Sequence, residues 1–267
     1  MRKHAVRPIP KRSSVDLIGP KIQQALELHQ SGQRMMAGAI YADILRQQPN
    51  HFDALQLSGL IAYETQQYEE AESFFLKALK VRPNSAGLYS NYGTLLHRLR
   101  RYEDAVAKYE KAVFYDPKLV VAHVNRGVAL TQLKRYEEAI VSLEKAVALK
   151  PDHPDAHFNL ANAQKEAKRH NQAIEEYDKA IALKPDYLDA FVHRAGAFRE
   201  MERLDEALAD LDHALTLKAN HAEAHSGRGL VLHQLNRYED SLASYDAALK
   251  LEPFDAQTLS YRGIVLH

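Results

Sequence analysis

The segment Val120–His153 reads VVAHVNRGVALTQLKRYEEAIVSLEKAVALKPDH, and its pattern decides the fold. Apolar residues recur three and four apart in two runs, one from Ala122 to Leu133 and one from Ala139 to Leu149, which predicts two amphipathic helices. Pro151 cannot continue a helix and restrains the residue before it, so it predicts the end of the second helix and a turn. The segment is therefore predicted to be two helices joined by a short loop.

The same pattern recurs every 34 residues along the chain. We number each repeat so that its proline is position 32, and the repeats then begin at Ile18, Phe52, Ala86, Val120, Pro154, Leu188, Ala222 and Ala256. Proline occupies position 32 in every complete repeat except one, where Ala219 replaces it and where we expect the turn to survive. A chain that repeats at this period is an array of one supersecondary unit, and such arrays generally bind partners and carry no catalytic site.

Four further positions keep one class of residue from repeat to repeat. Position 8 is glycine or alanine, position 20 is alanine or serine, position 24 is large and apolar or tyrosine, and position 27 is alanine in six repeats. Small residues at positions 8 and 20 let two helices approach closely, and the large residue at position 24 fills the space beside them.

This pattern resembles the tetratricopeptide repeat (TPR) over Ile18 to His267. The resemblance implies an all-α fold, a right-handed TPR superhelix (an α-solenoid) of antiparallel helix pairs. We expect a basic leader at 1–17 and an array at 18–267, with a divergent first repeat, six full repeats at 52–255 and a truncated last repeat at 256–267. Because the last repeat stops within its first helix, we also expect the chain to be a fragment of a longer protein.

The amino-acid composition argues against several classes of function. The 35 basic and 35 acidic residues cancel, which argues against a general nucleic-acid or membrane surface. The absence of cysteine fits a reducing compartment and predicts a cytoplasmic protein. No catalytic constellation or phosphate-binding loop occurs, so we expect neither enzymatic activity nor a cofactor. Seven of the 14 histidines recur at positions 4 and 12, which places neighbouring copies about 8–10 Å apart, too far to share a metal ion.

The leader carries five basic residues and one acid, Asp16. Two interpretations stay open for it: a solvated end of the array, or a basic arm for an acidic partner.

One face of the first helix is the predicted binding surface. At 100° per residue, positions 2, 5, 6, 9, 12 and 13 share one side, and in TPR proteins this side lines the concave groove. Position 6 carries asparagine in three successive repeats, and an amide has both donors and an acceptor for the backbone of an extended peptide. The predicted peptide-binding residues are Asn91, Asn125, Asn159, Asn162, Phe158, Val124, Val128 and His193. The alternative is that these asparagines are ordinary residues of a polar helix face.

Two functional hypotheses follow. The first is a protein–protein interaction scaffold that binds an extended peptide segment of a partner protein. The second rests on resemblance: an asparagine ladder of this kind is similar to the TPR half of protein O-GlcNAc transferases, and His51–Tyr63, HFDALQLSGLIAY, resembles the opening repeats of their bacterial members. In that case the chain recruits substrates for a catalytic domain that these residues do not contain.

Two sets of arginines have structural interpretations. Arginine at position 7 is predicted to pair with the acid at position 25 of the preceding repeat, which gives Glu110–Arg126, Asp178–Arg194, Asp212–Arg228 and Asp246–Arg262. Arginine at position 16, between the two helices, is expected to cap carbonyls of the first helix or to form an anion-binding edge: Arg101, Arg135, Arg169, Arg203 and Arg237.

Overall fold

The computed structural model describes residues 18–266, and this part of the chain consists of fifteen helices with no strand. The helices are α1 (Ile18–Gln30), α2 (Arg34–Gln47), α3 (Phe52–Glu64), α4 (Tyr68–Val81), α5 (Ala86–Arg98), α6 (Tyr102–Tyr115), α7 (Val120–Gln132), α8 (Tyr136–Leu149), α9 (Pro154–Glu166), α10 (His170–Leu183), α11 (Leu188–Glu200), α12 (Leu204–Leu217), α13 (Ala222–Gln234), α14 (Tyr238–Leu251) and α15 (Ala256–Val265). The predicted all-α array of paired helices is confirmed. The predicted leader at 1–17 lies outside the described residues.

The short loop within each complete repeat closes the first helix with a Schellman motif. In the third repeat, the N–H of Arg100 donates to the carbonyl of His97 and the N–H of Arg101 to that of Leu96, each at 2.9 Å. Position 15 therefore takes a left-handed conformation, with φ of 58–63° in six repeats whose residue is not glycine and 80° at Gly32. Such a φ disfavours residues with a Cβ, so this loop stores strain in most repeats.

Close helix approach at position 8 follows the predicted pattern. Gly93 faces Tyr109, the residue at position 24, and a Cβ added to Gly93 would lie 2.6 Å from the tyrosine ring. The Tyr109 side chain is buried. The contact between positions 8 and 24 also shows that the two helices run antiparallel.

The described chain divides into two compact units, one ending at Leu119 and one beginning at Val120. In both units each helix packs against the next one in sequence. In the C-terminal unit the first helices of successive repeats (α7, α9, α11, α13 and α15) also pack side by side. Their outward residues therefore form one continuous face, which we call the first-helix face.

The repeat that lacks its proline keeps the end of its second helix, but a bend at Ala219 replaces the hydrogen-bonded turn of the proline-containing repeats, so the turn survives only in part. Helix α12 ends at Leu217, the position at which the second helix ends in the proline-containing repeats around it, and the N–H of Lys218 donates to the carbonyl of Ala214 at 3.0 Å. The His225 ring lies 2.9 Å from the carbonyl oxygen of Ala219. The equivalent contact, from His157 to the carbonyl of Pro151 at 2.9 Å, occurs in a repeat that has its proline, so this link between repeats does not depend on the proline.

Three predicted ion pairs between repeats are confirmed. Arg228 lies 2.6 Å from Asp212, Arg262 lies 2.6 Å from Asp246, and Arg194 pairs with Asp178. The fourth, Glu110–Arg126, would join the two units and stays a prediction. The three carboxylates are about half exposed, so each pair contributes about 0–1 kcal/mol and mainly fixes the alignment of neighbouring repeats.

The interpretation of the position-16 arginines needs correction. Four of them donate to the carboxylate three residues further along, as Arg135 does to Glu138 at 2.6 Å, and Arg169 contacts Glu137 of the preceding repeat at 2.5 Å. Carboxylates, and not helix carbonyls, are the partners of these side chains. The chain's own acids thus neutralise the expected anion-binding edge.

Among residues 18–266, no helix combines the length and apolar character that crossing a bilayer requires.

Candidate functional site

Two adjoining cavities open on the first-helix face of the C-terminal unit. The first cavity, of about 350 Å³, is lined by α7, α9 and α11 and includes four of the predicted residues: Val128, Asn159, Asn162 and His193. The second cavity, of about 230 Å³, is lined by α9, α11, α13 and α15. It shares Lys165 and His193 with the first, so the two form one continuous depression.

The remaining predicted residues contribute differently. Val124 is buried, 8% exposed, and Phe158 packs with ring centroids 5.0 Å from Tyr187 and 5.1 Å from His193, so both residues support the face from beneath. Asn125 is half-buried on α7, whereas Asn91 lies on α5 in the N-terminal unit. The continuous ladder of three asparagines across the two units stays a prediction.

Asn162 is fixed in one orientation by two donors. Its side-chain oxygen accepts a hydrogen bond from the Tyr177 hydroxyl at 2.6 Å and lies 2.7 Å from Nδ1 of His193. Both acceptor positions are then occupied, and only the two N–H groups of this amide stay available to a ligand.

The same contact sets the tautomer of His193. Because an amide oxygen only accepts, Nδ1 carries the proton and Nε2 is left as the acceptor of the neutral ring. Burial lowers the pKa of His193, and the nearby Lys165 charge lowers it further, so the ring is neutral at pH 7. Asn162 thus offers donors and His193 offers an acceptor on neighbouring helices.

Asn159 has more freedom than Asn162. It donates one N–H to the carbonyl of Asp155 in its own helix, at 2.7 Å. The side-chain oxygen and the second N–H remain for a ligand. The two asparagines of α9, at positions 6 and 9 of the repeat, therefore differ: Asn162 is part of the packing, whereas Asn159 keeps an acceptor and a donor for a ligand.

Sequence reasoning missed two rows of charge that border the first-helix face. Position 2 is acidic in three successive repeats (Asp155, Asp189 and Glu223), and position 12 is basic or histidine in the same repeats (Lys165, Arg199 and His233). Ten residues of helix separate the rows by about 15 Å. Comparing positions 2 and 12 between repeats would have found them.

The bond between Tyr177 and Asn162 also had a sequence signal. A tyrosine at position 24 with a polar residue at position 9 occurs in the third and fifth repeats, and in the third the Tyr109 hydroxyl lies 3.3 Å from Thr94. Within residues 18–266, no group of three or more histidine, aspartate or glutamate side chains is arranged to hold a metal ion.

Five family models match the chain, all of tetratricopeptide repeats. The model described as "TPR repeat" matches residues 127–168, and four described as "Tetratricopeptide repeat" match 52–85, 74–107, 154–187 and 194–256. No curated protein sequence matches.

Solved structures share the fold at low sequence identity. A tetratricopeptide repeat protein from Parabacteroides merdae ATCC 43184 is 17% identical, with a TM-score of 0.72 over 94% of this chain and 100% of that one. A chain of the APC/C hetero-tetramer Cut9–Hcn1 is 18% identical, with a TM-score of 0.74 over 91% of this chain and 48% of that one. YrrB, described as a TPR protein with an unusual peptide-binding site, is 23% identical, with a TM-score of 0.56 over 71% of this chain and 97% of that one. Together with the five repeat models and the helix pairs, these likenesses identify the chain as a tetratricopeptide repeat protein.

Proposed function

We propose that the protein is an interaction scaffold that binds an extended peptide segment of a partner protein on the first-helix face of the C-terminal unit. The observation that carries the proposal is the oriented amide of Asn162, held by Tyr177 and His193 so that its N–H groups remain for a ligand. An extended peptide presents carbonyl oxygens and N–H groups in alternation. Asn162 would donate to a peptide carbonyl, and Nε2 of His193 would accept from a peptide N–H.

The surroundings of these groups support the same function. The two cavities follow one another along the first-helix face, as an extended ligand requires, and Val128 and Leu230 provide apolar contacts. Preformed hydrogen-bonding groups reduce the ordering cost of binding, because Asn162 and His193 already hold one conformation. A peptide-binding site is also described for the structural relative YrrB.

Two other expectations remain predictions. A substrate-recruiting role within a protein O-GlcNAc transferase-like enzyme has no observation that favours it over a scaffold. A cytoplasmic location rests on the absence of cysteine alone.

Affinity selection from a displayed random-peptide library tests the proposal. Peptides that the wild-type chain enriches are labelled with fluorescein, and their Kd is measured by fluorescence anisotropy. The double variant Asn125→Ala and Asn159→Ala should bind more weakly by about 1 kcal/mol for each lost hydrogen bond, with nearly unchanged thermal stability, and Asn162→Ala should weaken binding by a similar amount. The control is Asn171→Ala, an exposed asparagine on α10 outside the face, which should bind as the wild type does. Unchanged affinity in both the double variant and Asn162→Ala would rule out the groove.

A further inference from the structure

The second cavity exists because two neighbouring positions on the first-helix face lack side chains. Gly196 on α11 and Gly227 on α13 both line it. A Cβ added to Gly196 would meet nothing within 4 Å, so the space above it is open. The equivalent position carries Val128, Asn162 and Leu230 in other repeats of this unit, where a side chain occupies the face.

Within residues 18–266, two cations line this cavity, one without an ion-pair partner and one whose carboxylate partner lies beyond hydrogen-bonding distance. Among the residues that the structure describes, Arg199 is half-buried and forms no ion pair within 4.0 Å. The Lys165 side chain is only 19% exposed, and its partner Glu166 is 3.7 Å away, beyond hydrogen-bonding distance. In contrast, Arg194 and Arg203, close to Arg199 in sequence, each contact carboxylates.

A half-buried cation without a partner has lost hydration that nothing replaces. An anionic group that enters the cavity would supply charge-assisted hydrogen bonds to the guanidinium and the ammonium. The cavity thus has the charge of an anion site even though the whole protein has a formal net charge of zero.

The remaining lining residues define the shape of the anion's carrier. Val192, Leu211 and Val231 are buried apolar residues at the cavity wall, which suits an aliphatic stem. Glu223 also lines the cavity, but it is exposed, so solvent and salt screen its charge more than those of the two cations. The Glu223 carboxylate repels an anion in the cavity, so removal of its charge should tighten the binding of an anionic ligand.

We propose that the second cavity holds an anionic side chain of the bound peptide, a carboxylate or a phosphate, and that Arg199 and Lys165 determine this specificity. The inference rests on the proposed function and deepens it, since it names the chemistry of one residue of the ligand. The apolar wall receives the methylene groups of the ligand side chain, and the two cations bind its end.

The experiment uses the full chain and the peptides selected with it. Selection should enrich glutamate or aspartate at one position of the peptide. For the strongest such peptide, changing that residue to glutamine should raise Kd about tenfold with the wild type but less than about twofold with Arg199→Gln, because the two changes remove the same interaction. A third peptide with phosphoserine at that position distinguishes phosphate from carboxylate: tighter binding than the glutamate peptide indicates phosphate.

Three further variants separate a local effect from a general loss of charge. Arg100→Gln removes the same charge from an exposed loop outside the cavity and should leave Kd unchanged. Arg199→Lys should retain part of the preference, and Glu223→Gln should tighten binding of the acidic peptide. Circular dichroism confirms that each variant is folded.

The outcomes separate this inference from the proposed function. One negative result is that the selected peptides depend on Asn159 for binding and yet show no preference for an acidic residue; another is that their Kd is unaffected by Arg199→Gln. Either result would overturn the anionic subsite without contradicting the proposed peptide groove. A selection that yields no peptide dependent on the first-helix face overturns both.

Discussion

Replacing Gly229 by alanine should destabilise one helix pair, whereas the same change at Gly196 should not. Both glycines lie within first helices of adjacent repeats, α13 and α11. A Cβ at Gly229 would lie 2.5 Å from Cε1 and 2.7 Å from Cδ1 of Tyr245, and this ring is only 1% exposed. A Cβ at Gly196 meets nothing within 4 Å.

The magnitude follows from two opposing effects. Forcing a methyl group into a packed contact costs about 1–3 kcal/mol, and replacing glycine by alanine within a helix returns up to about 1 kcal/mol. Gly229→Ala should therefore lower the free energy of unfolding by up to about 2 kcal/mol. Gly196→Ala should raise it by about 0.5–1 kcal/mol. The fifth repeat sets an upper limit on the destabilisation by Gly229→Ala, because alanine and tyrosine already occupy the equivalent positions there, as the buried residues Ala161 and Tyr177.

Hydrogen exchange is the appropriate assay, because stability in a repeat array depends on each repeat and its neighbours. Amides of α13 and α14 should exchange faster in Gly229→Ala, with little change in α7 to α10. Thermal unfolding should shift down by about 2–4 °C per kcal/mol. Equal stability and equal exchange in the two variants would refute the packing argument for position 8.

Three further predictions concern stability. Asn162→Ala should lower the free energy of unfolding, measured in urea, by about 1–3 kcal/mol because the Tyr177 hydroxyl loses its acceptor. Asn159→Ala should change it by less than about 0.5 kcal/mol, and equal effects of the two variants would contradict the distinction between these asparagines. Lys134→Gly should raise Tm through a gain of about 0.5–1 kcal/mol, since a φ of 58° suits glycine, and no gain would mean that the loop is unstrained. Burial lowers the pKa of His193 below the ordinary 6.5, so the stability of the fold should fall as the pH drops below 6.5. His193→Gln should reduce the loss of Tm on acidification, and an unchanged loss would contradict the role of His193.

The sequence predicted the helices because their packing repeats. Positions 8, 20, 24 and 27 keep their residue types, and α7 and α8 begin and end within three residues of the two apolar runs of the fourth repeat. The Asp212–Arg228 pair was also predictable, because an acid at position 25 accompanies an arginine at position 7 of the next repeat. The left-handed loop residue had a weaker signal: Gly32 and Asn236 suit a positive φ, but the lysine, arginine, glutamate and glutamine at position 15 of the other repeats do not indicate one.

The candidate site was predicted less completely. Helical periodicity predicted the binding face, because it shows which residues share one side of a helix, but it gives no contacts between side chains. The role of Asn162 depends on the Tyr177 hydroxyl, a residue of another helix, so its own repeat position does not reveal it. Likewise, Arg199 resembles every other arginine in sequence, and only the arrangement of nearby carboxylates distinguishes it.

A crystal structure of the chain with a selected peptide would show whether the first-helix face of the C-terminal unit binds the peptide. We expect an extended peptide along α7, α9, α11 and α13, with a backbone carbonyl hydrogen-bonded to Asn162 and a backbone N–H hydrogen-bonded to Nε2 of His193. A peptide seated instead on α8, α10, α12 and α14, or on the turns between repeats, would contradict it.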